Sequence, residues 1–431
     1  MAQLTKNWSH RQWALLIAGL LLFTVGAVAA SGPFAEPDAE IIYTFSGEQP
    51  GSTFGWVAAN LGDINNDGVN DMITSAPWFS VDGSTAEGKI YVYSGADGSL
   101  LNTATGSGFE LLGYSTTTAG DVNNDGVPDY VAGGPAASHA VVFSGADHSV
   151  LLDLYGQGGD GFGASAAGAG DVNNDGYGDL IVGATQDSSS TGRVYLMSGA
   201  DGSVLWSQGG GGNGYRLGSA VGLVGDVNGD GVPDQVAGAD GLASGGAFTG
   251  GAYVFSGVDG SIIYTLNPVD PTQSLTFGQF FASGAGDVDN DGVPDIYVGD
   301  YASHNGNGAY YVFSGANGRL LRNTIGRPGM GLGPGRGVGD IDGDGHSDIV
   351  VGGYTYSSRS AASAGRVLAI SGRTGDVLEL LTGTIANDWL GADALAVGDV
   401  NGDGRVDYMI TAYGLTYNGI DVGHAYVVAG K

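Results

Sequence analysis

Gly120-Asp121-Val122-Asn123-Asn124-Asp125-Gly126-Val127-Pro128-Asp129 contains one of seven copies of the pattern D-x-[DN]-x-D-G-x-x-D in this sequence. The other copies begin at Asp63, Asp171, Asp226, Asp287, Asp340 and Asp399, and each leads into an apolar run. Loop positions one, three, five and nine always carry a side-chain oxygen. In chain order these are Asp63, Asn65, Asp67 and Asp71; Asp121, Asn123, Asp125 and Asp129; Asp171, Asn173, Asp175 and Asp179; and Asp226, Asn228, Asp230 and Asp234. The last three sets are Asp287, Asp289, Asp291 and Asp295; Asp340, Asp342, Asp344 and Asp348; and Asp399, Asn401, Asp403 and Asp407. Position seven adds a backbone carbonyl from Val69, Val127, Tyr177, Val232, Val293, His346 or Arg405. A hard cation such as Ca2+ takes six to eight oxygens at about 2.3–2.6 Å, and a glycine at position six makes the turn that gathers them. Asx turns that satisfy only their own backbone are the competing explanation for any one loop. Seven complete copies of mutually repelling acids favour up to seven bound Ca2+.

Composition fits that expectation. The 431 residues hold 45 acids against 14 bases, for a formal charge of -31. About half of the acids are the loop ligands. The only lysines are Lys6, Lys89 and Lys431, so no surface suited to a phosphate backbone is expected, and nucleic acid is excluded as a partner. There is no cysteine, which rules out thiol chemistry and disulfides. Stability must come from core and metal. Lys6 and Arg11 precede an apolar run from Trp13 to Ala30, and Ala27-Val28-Ala29 fits a small-x-small cleavage site. Residues 1–30 are therefore expected to be a secretory signal peptide, with an uncleaved anchor as the alternative. Both place the remainder outside the cytoplasm, secreted or on the cell surface, with membrane contact only if the segment is retained. Residues 31–40 are expected to be a linker and residues 41–431 a single domain.

The loops recur every 50 to 61 residues, a spacing that signals propellers or solenoids. Each repeat reads as four short strands. In the second, Ser115 to Ala119 enters the metal loop and Tyr130 to Gly133 leaves it. Ala140 to Gly145 follows, then a tight turn and Val150 to Leu154. Turns such as Ala96-Asp97-Gly98 are strong hairpin signals. With 83 glycines and no helical periodicity, helices are excluded. Four strands in seven repeats predict an all-β fold, a seven-bladed β-propeller. The last repeat stops at Ala425 to Lys431 without its outgoing strand, and Ile41 to Ser46 resembles the missing piece. The N-terminal strand should therefore join the last blade, close the ring and remove two open edges.

The repeats resemble the FG-GAP repeats of the integrin alpha-chain propeller and its bacterial relatives. The Phe-Gly half stands as Phe54-Gly55, Phe162-Gly163 and Phe277-Gly278, with Leu112-Gly113, Leu217-Gly218, Leu332-Gly333 and Leu390-Gly391 in similar places. The second half is looser, as in Ser75-Ala76-Pro77 and Val182-Gly183-Ala184, and departs at Val351-Gly352-Gly353 and Ala412-Tyr413-Gly414. The resemblance covers residues 41 to 431. It implies calcium in the acidic loops on one face and partner contacts on the other.

Near-identical, saturated loops do not suit metal catalysis, which needs one specialised open site. They suit a structural role, each ion tying the first and second strands of its blade. His139 and His304 read as ordinary polar loop residues, and His346 as exposed. The aromatics Trp78 and Phe79, Tyr354 and Tyr356, and Tyr413 and Tyr417 fall in loops of the opposite face in neighbouring blades, with Arg359 nearby. They form a candidate platform for an extracellular protein or glycan. The sequence thus predicts an exported, calcium-binding, non-catalytic binding or adhesion module. The alternative is an extracellular hydrolase or polysaccharide lyase on the same scaffold.

Overall fold

A computed structural model describes residues 32–83, 85–241, 251–414 and 422–431. Seven four-stranded antiparallel sheets form the blades of a propeller. In blade one, Ala58–Gly62, Asp71–Ala76, Lys89–Tyr93 and Leu100–Thr105 lie side by side in chain order. The innermost strands are built of small residues, as in Ser-Thr-Thr-Thr-Ala-Gly of Ser115–Gly120. Seven strands converge on the axis there, and larger side chains would collide. Second strands, such as Asp129–Gly134 and Asp179–Ala184, are buried along their whole length because they are covered on both faces. Fourth strands begin exposed, as at Leu100 and Val150, because they form the outer edge.

Hydrophobic packing lies between blades rather than within them. Among the described residues there are seven core clusters, and each joins residues of two neighbouring blades. One of them unites Met72 and Tyr91 of blade one with Met409 and Val427 of blade seven. An open array of seven repeats would have only six such interfaces, so the ring is closed. Its fastening is the strand Ile41–Ser46, antiparallel to His424–Val428, with Ile41 opposite Val428 and Ser46 opposite His424. The all-β, strand-closed propeller read from the sequence is therefore the fold. Among the described residues the helical content is almost nil; Asp187–Ser190 and Ser303–Gly306 are single four-residue turns.

The expected linker is instead a docked strap. Phe34 is 7% exposed and meets Tyr426 edge-on at 5.5 Å. The Ala35 amide donates to the Thr382 carbonyl at 2.8 Å, and the Thr382 amide donates to the Glu36 carboxylate at 2.7 Å. Lys431 pairs with Asp38 at 3.1 Å. A single aromatic anchor and the free edge of the strand Val377–Thr382 hold this short polar segment in place. The expected signal peptide, residues 1–30, and Tyr417 lie outside the described residues.

Candidate metal loops and aromatic face

The acidic loops join first to second strands, so all seven lie on one face of the ring. Blade two shows the geometry. Asp121 accepts the Asp125 amide on Oδ1 at 3.1 Å and the Gly126 amide on Oδ2 at 2.9 Å. Asn123 accepts the Asp125 amide, and Asp125 accepts that of Val127, both at 2.9 Å. Position six is left-handed in every loop, with φ between 86° and 92°. Position four is left-handed too and is always Asn or Gly, from Asn66 and Asn124 to Gly343 and Gly402. That second turn residue is recognisable in the sequence as the Asn or Gly midway between the third and fifth loop positions.

Position nine does more than close the loop. Asp129 is fully buried; its Oδ2 accepts the Val122 amide at 2.7 Å and its Oδ1 the Gly145 amide at 2.8 Å. Gly145 opens the hairpin between the third and fourth strands. Asp71, Asp179, Asp234, Asp295, Asp348 and Asp407 make the same bond to Gly95, Gly199, Gly257, Gly315, Gly372 and Gly430. In blades one to six the tie therefore reaches the hairpin between the third and fourth strands, and in blade seven the end of the third strand, not only the first two strands. Burial pushes all seven of these carboxyls above their usual range, and Asp295 reaches about 6. Acidic neighbours add to the rise, as Asp289 does at Asp295. Replacing Asp129 with Ala leaves two buried amides without an acceptor. The expected loss is about 3 kcal/mol in urea unfolding at neutral pH, and a loss under about 1 kcal/mol refutes the tie.

The donor set fits a hard cation. In the fifth loop Asp287, Asp289 and Asp291 bring carboxylate oxygens within 4.8 Å of one another, as do Asp340, Asp342 and Asp348 in the sixth. Three such charges at this range repel, and a divalent ion relieves both that repulsion and the strain of ionising the buried ninth acid. Neighbouring loops also touch. The Gly178 amide donates to the Asp121 carbonyl at 2.7 Å, and the Ser347 amide to that of Asp287 at 2.8 Å. His346, expected to be exposed, is half-buried, with Nδ1 2.8 Å from the Val288 carbonyl of the preceding loop.

The opposite face is aromatic. Trp78, Tyr354 and Tyr413 are brought together there, joined by Trp56, Tyr114, Phe280, Tyr301 and Trp389. Trp56 meets Tyr413 at 5.2 Å between centroids, Tyr413 meets Trp389 at 5.6 Å, and Trp389 meets Tyr354 at 5.7 Å. Tyr354 then meets Tyr301 at 5.9 Å, Tyr301 meets Phe280 at 6.5 Å, and Phe280 returns to Trp56 at 5.7 Å. These six rings form a continuous annulus drawn from blades five, six, seven and one. Trp56 is fixed by its indole N–H to the Tyr114 carbonyl at 3.0 Å, and Trp78 packs against it at 5.0 Å. Below lies an axial cavity of about 460 Å³, lined by the small innermost strands. Arg336 bonds the buried Asp393 there at 2.5 Å. Beside it, a second cavity of about 360 Å³ lies among Phe109, Leu111, Gln186, Arg216 and Gln279.

The other platform residues are placed elsewhere. Phe79 packs into the interface of blades seven and one, with the Lys89 ammonium 4.9 Å from its ring. Tyr356 leans on the core between blades five and six and is covered by the Arg366 guanidinium at 3.8 Å. Arg359 is exposed in the following turn. Trp56, Tyr114 and Trp389 were legible in principle, since each directly flanks a Phe-Gly or Leu-Gly pair. His139 is not an ordinary loop residue: it begins a strand and sits between Glu110 and Asp153. His304 lies in the turn Ser303–Gly306, with Nδ1 3.1 Å from Ser303 Oγ.

The FG-GAP repeat model matches residues 54–93, 162–197 and 337–370, and an FG-GAP-like repeat model matches residues 287–351. Similar curated proteins include integrin alpha-7 of Mus musculus, 37% identical over 94 residues, which are 21% of this chain and 8% of that protein. Integrin alpha-6 of Homo sapiens is 35% identical over 98 residues, covering 22% and 8%. Integrin alpha-8 of Gallus gallus is 35% identical over 108 residues, covering 23% and 10%. The chain thus spans about a tenth or less of the relatives it matches.

Proposed function

From the premise that this chain is a β-propeller of FG-GAP repeats, we propose that it is an exported, calcium-stabilised, non-catalytic binding module. The acidic face holds Ca2+ in a structural role. Asp, Asn and backbone oxygens of each loop would hold the ion, and its charge offsets that of the converging carboxylates. The aromatic face takes the partner, an extracellular protein or glycan.

The observation that carries this reading is the division of labour between the faces. One face is seven near-copies of the same polar loop; the other breaks the repeat with aromatics from only some blades. Those aromatics are half-buried or exposed, and Trp78 is 36% exposed. Large amphipathic rings with little conformational freedom are effective contact residues for proteins and for sugar rings. Among the described residues no helix is long and apolar enough to cross a membrane.

A glycan array and a panel of extracellular matrix proteins, probed with Ca2+ present, provide the test. Trp78→Ala combined with Tyr354→Ala is expected to weaken any ligand so found by at least about tenfold, the order expected for removing contact-centre aromatics. A binding isotherm that does not change in a variant with native melting behaviour refutes the aromatic face as the contact surface.

A further inference from the structure

The first residue of the third strand occupies the same place in every blade: Lys89, His139, Arg193, Gly251, Ala309, Arg366 and His424. Three of these are permanent cations. Lys89 pairs with Glu48 at 2.7 Å, Arg193 pairs with Asp187 at 2.6 Å, and Arg366 stacks on Tyr356. In blade two the position is filled by a cation that can be discharged. His139 Nδ1 lies 2.5 Å from Glu110 Oε1, and Nε2 lies 2.6 Å from Asp153 Oδ1. Both acceptors are carboxylates, so both ring nitrogens must donate, and the imidazole is in its doubly protonated form. Tyr155 stacks on the ring at 4.6 Å and 15°. The Glu110 side chain is 5% exposed, and its Oε2 accepts the Ser107 amide at 2.6 Å.

We propose that His139 is a proton-operated latch on the segment 107–111, which joins blades one and two and carries Phe109 and Leu111 to the edge of the 360 Å³ cavity. Charged, the ring bridges that segment to the fourth strand of blade two. Neutral, it can donate to only one carboxylate and turns a lone pair toward the other. The groups facing it are few. Glu110 comes from the segment itself, and Asp153 and Tyr155 come from the strand Val150–Tyr155. The neighbouring second strand offers Gly134 as the residue opposite His139. Asp160, in the next interblade segment, accepts the amides of Gln157 and Phe162. Burial alone would discharge the imidazole, but the bonds and charges of Glu110 and Asp153 outweigh it and hold its pKa above the ordinary value. For a raised histidine pKa the contribution is complete below the unfolded value near 6.5. It is lost as pH rises through the folded one. The latch is closed in mildly acidic solution and opens toward alkaline pH, with or without a ligand on the aromatic face.

Amide hydrogen exchange of residues 106–111, in the full chain between pH 6 and 9.5, reads the latch directly. His139→Lys, which copies the Lys89 arrangement of blade one, and His139→Gln are compared with the unsubstituted protein at each pH, so that intrinsic exchange cancels. The unsubstituted protein is expected to match His139→Lys at pH 6 and His139→Gln at pH 9.5. Between the two pKa values the closing constant falls by up to about tenfold per pH unit. A ratio to His139→Lys that stays flat with pH, or full protection of His139→Gln at pH 6, overturns the proposal. Should either variant fail to fold, ring-nitrogen NMR of His139 in the unsubstituted protein decides instead. A midpoint at or below about 6.5 overturns the latch, and one above it supports it.

Discussion

Stripping divalent cations with EDTA lowers the melting temperature by at least about 10 °C, and returning Ca2+ restores it. Each ion bound only by the folded state adds about 2.7 kcal/mol at a hundredfold excess over its dissociation constant. In domains of 150–250 residues 1 kcal/mol moves the midpoint by about 2–4 °C, and somewhat less in a larger ring. Several occupied loops therefore reach the stated shift even if some of the seven stay empty. The pH dependence sharpens the test. Without the cation, the buried ninth aspartates ionise against burial, so their folded pKa values lie above the unfolded ones, at about 6 for Asp295. A raised carboxyl contributes stability that is complete below about 3.8 and is lost as pH rises through the folded value. Metal-free protein should thus become more stable as pH falls from about 6 toward 4, below the range in which His139 changes charge, while loaded protein should not, because the ion favours the charged form. Calorimetry on samples of measured metal content checks both. A shift under about 3 °C on proven metal-free protein sinks the calcium reading.

Deleting residues 32–46 abolishes cooperative unfolding. That segment supplies the fourth strand of blade seven and the strap on blade six, and it buries Phe34 and Phe45. Phe45 stacks on Tyr93 of blade one at 3.9 Å, so its loss reaches across the seam. Each buried phenylalanine is worth about 3–5 kcal/mol on truncation, and the deletion also bares the edge of His424–Val428. Phe45→Ala alone, the milder variant, should cost about 3–4 kcal/mol and still fold. A truncated protein with a single sharp transition near the original midpoint would show that the seam is dispensable.

The ring could be read from the sequence because its causes are local and repeated. The spacing of acids around Gly126, small residues before each loop and apolar runs after it fix four strands per repeat. The absent last strand then fixes the closure. What escaped the reading depends on contacts between distant residues. Asp129 looks like one more ligand until Gly145 is seen to donate to it. Phe34 looks like part of a linker because only the edge of Val377–Thr382 gives it a place. Phe79 and Trp78 are adjacent and equally apolar, yet one turns into a blade interface and the other outward. Strand direction at a loop end decides that, and the composition of the loop does not. Trp56, Phe280 and Trp389 come from three separate blades and meet only because the circle brings them round.

The fastening strand also fixes how the ring answers a pull. Because Ile41 faces Val428, both ends of the chain leave the seam at the same end of one antiparallel pair. Tension applied through the two termini meets the strap contacts of Phe34, Ala35 and Asp38 first and then strips the rungs of that ladder in sequence, like a zip. It does not load them all together in shear.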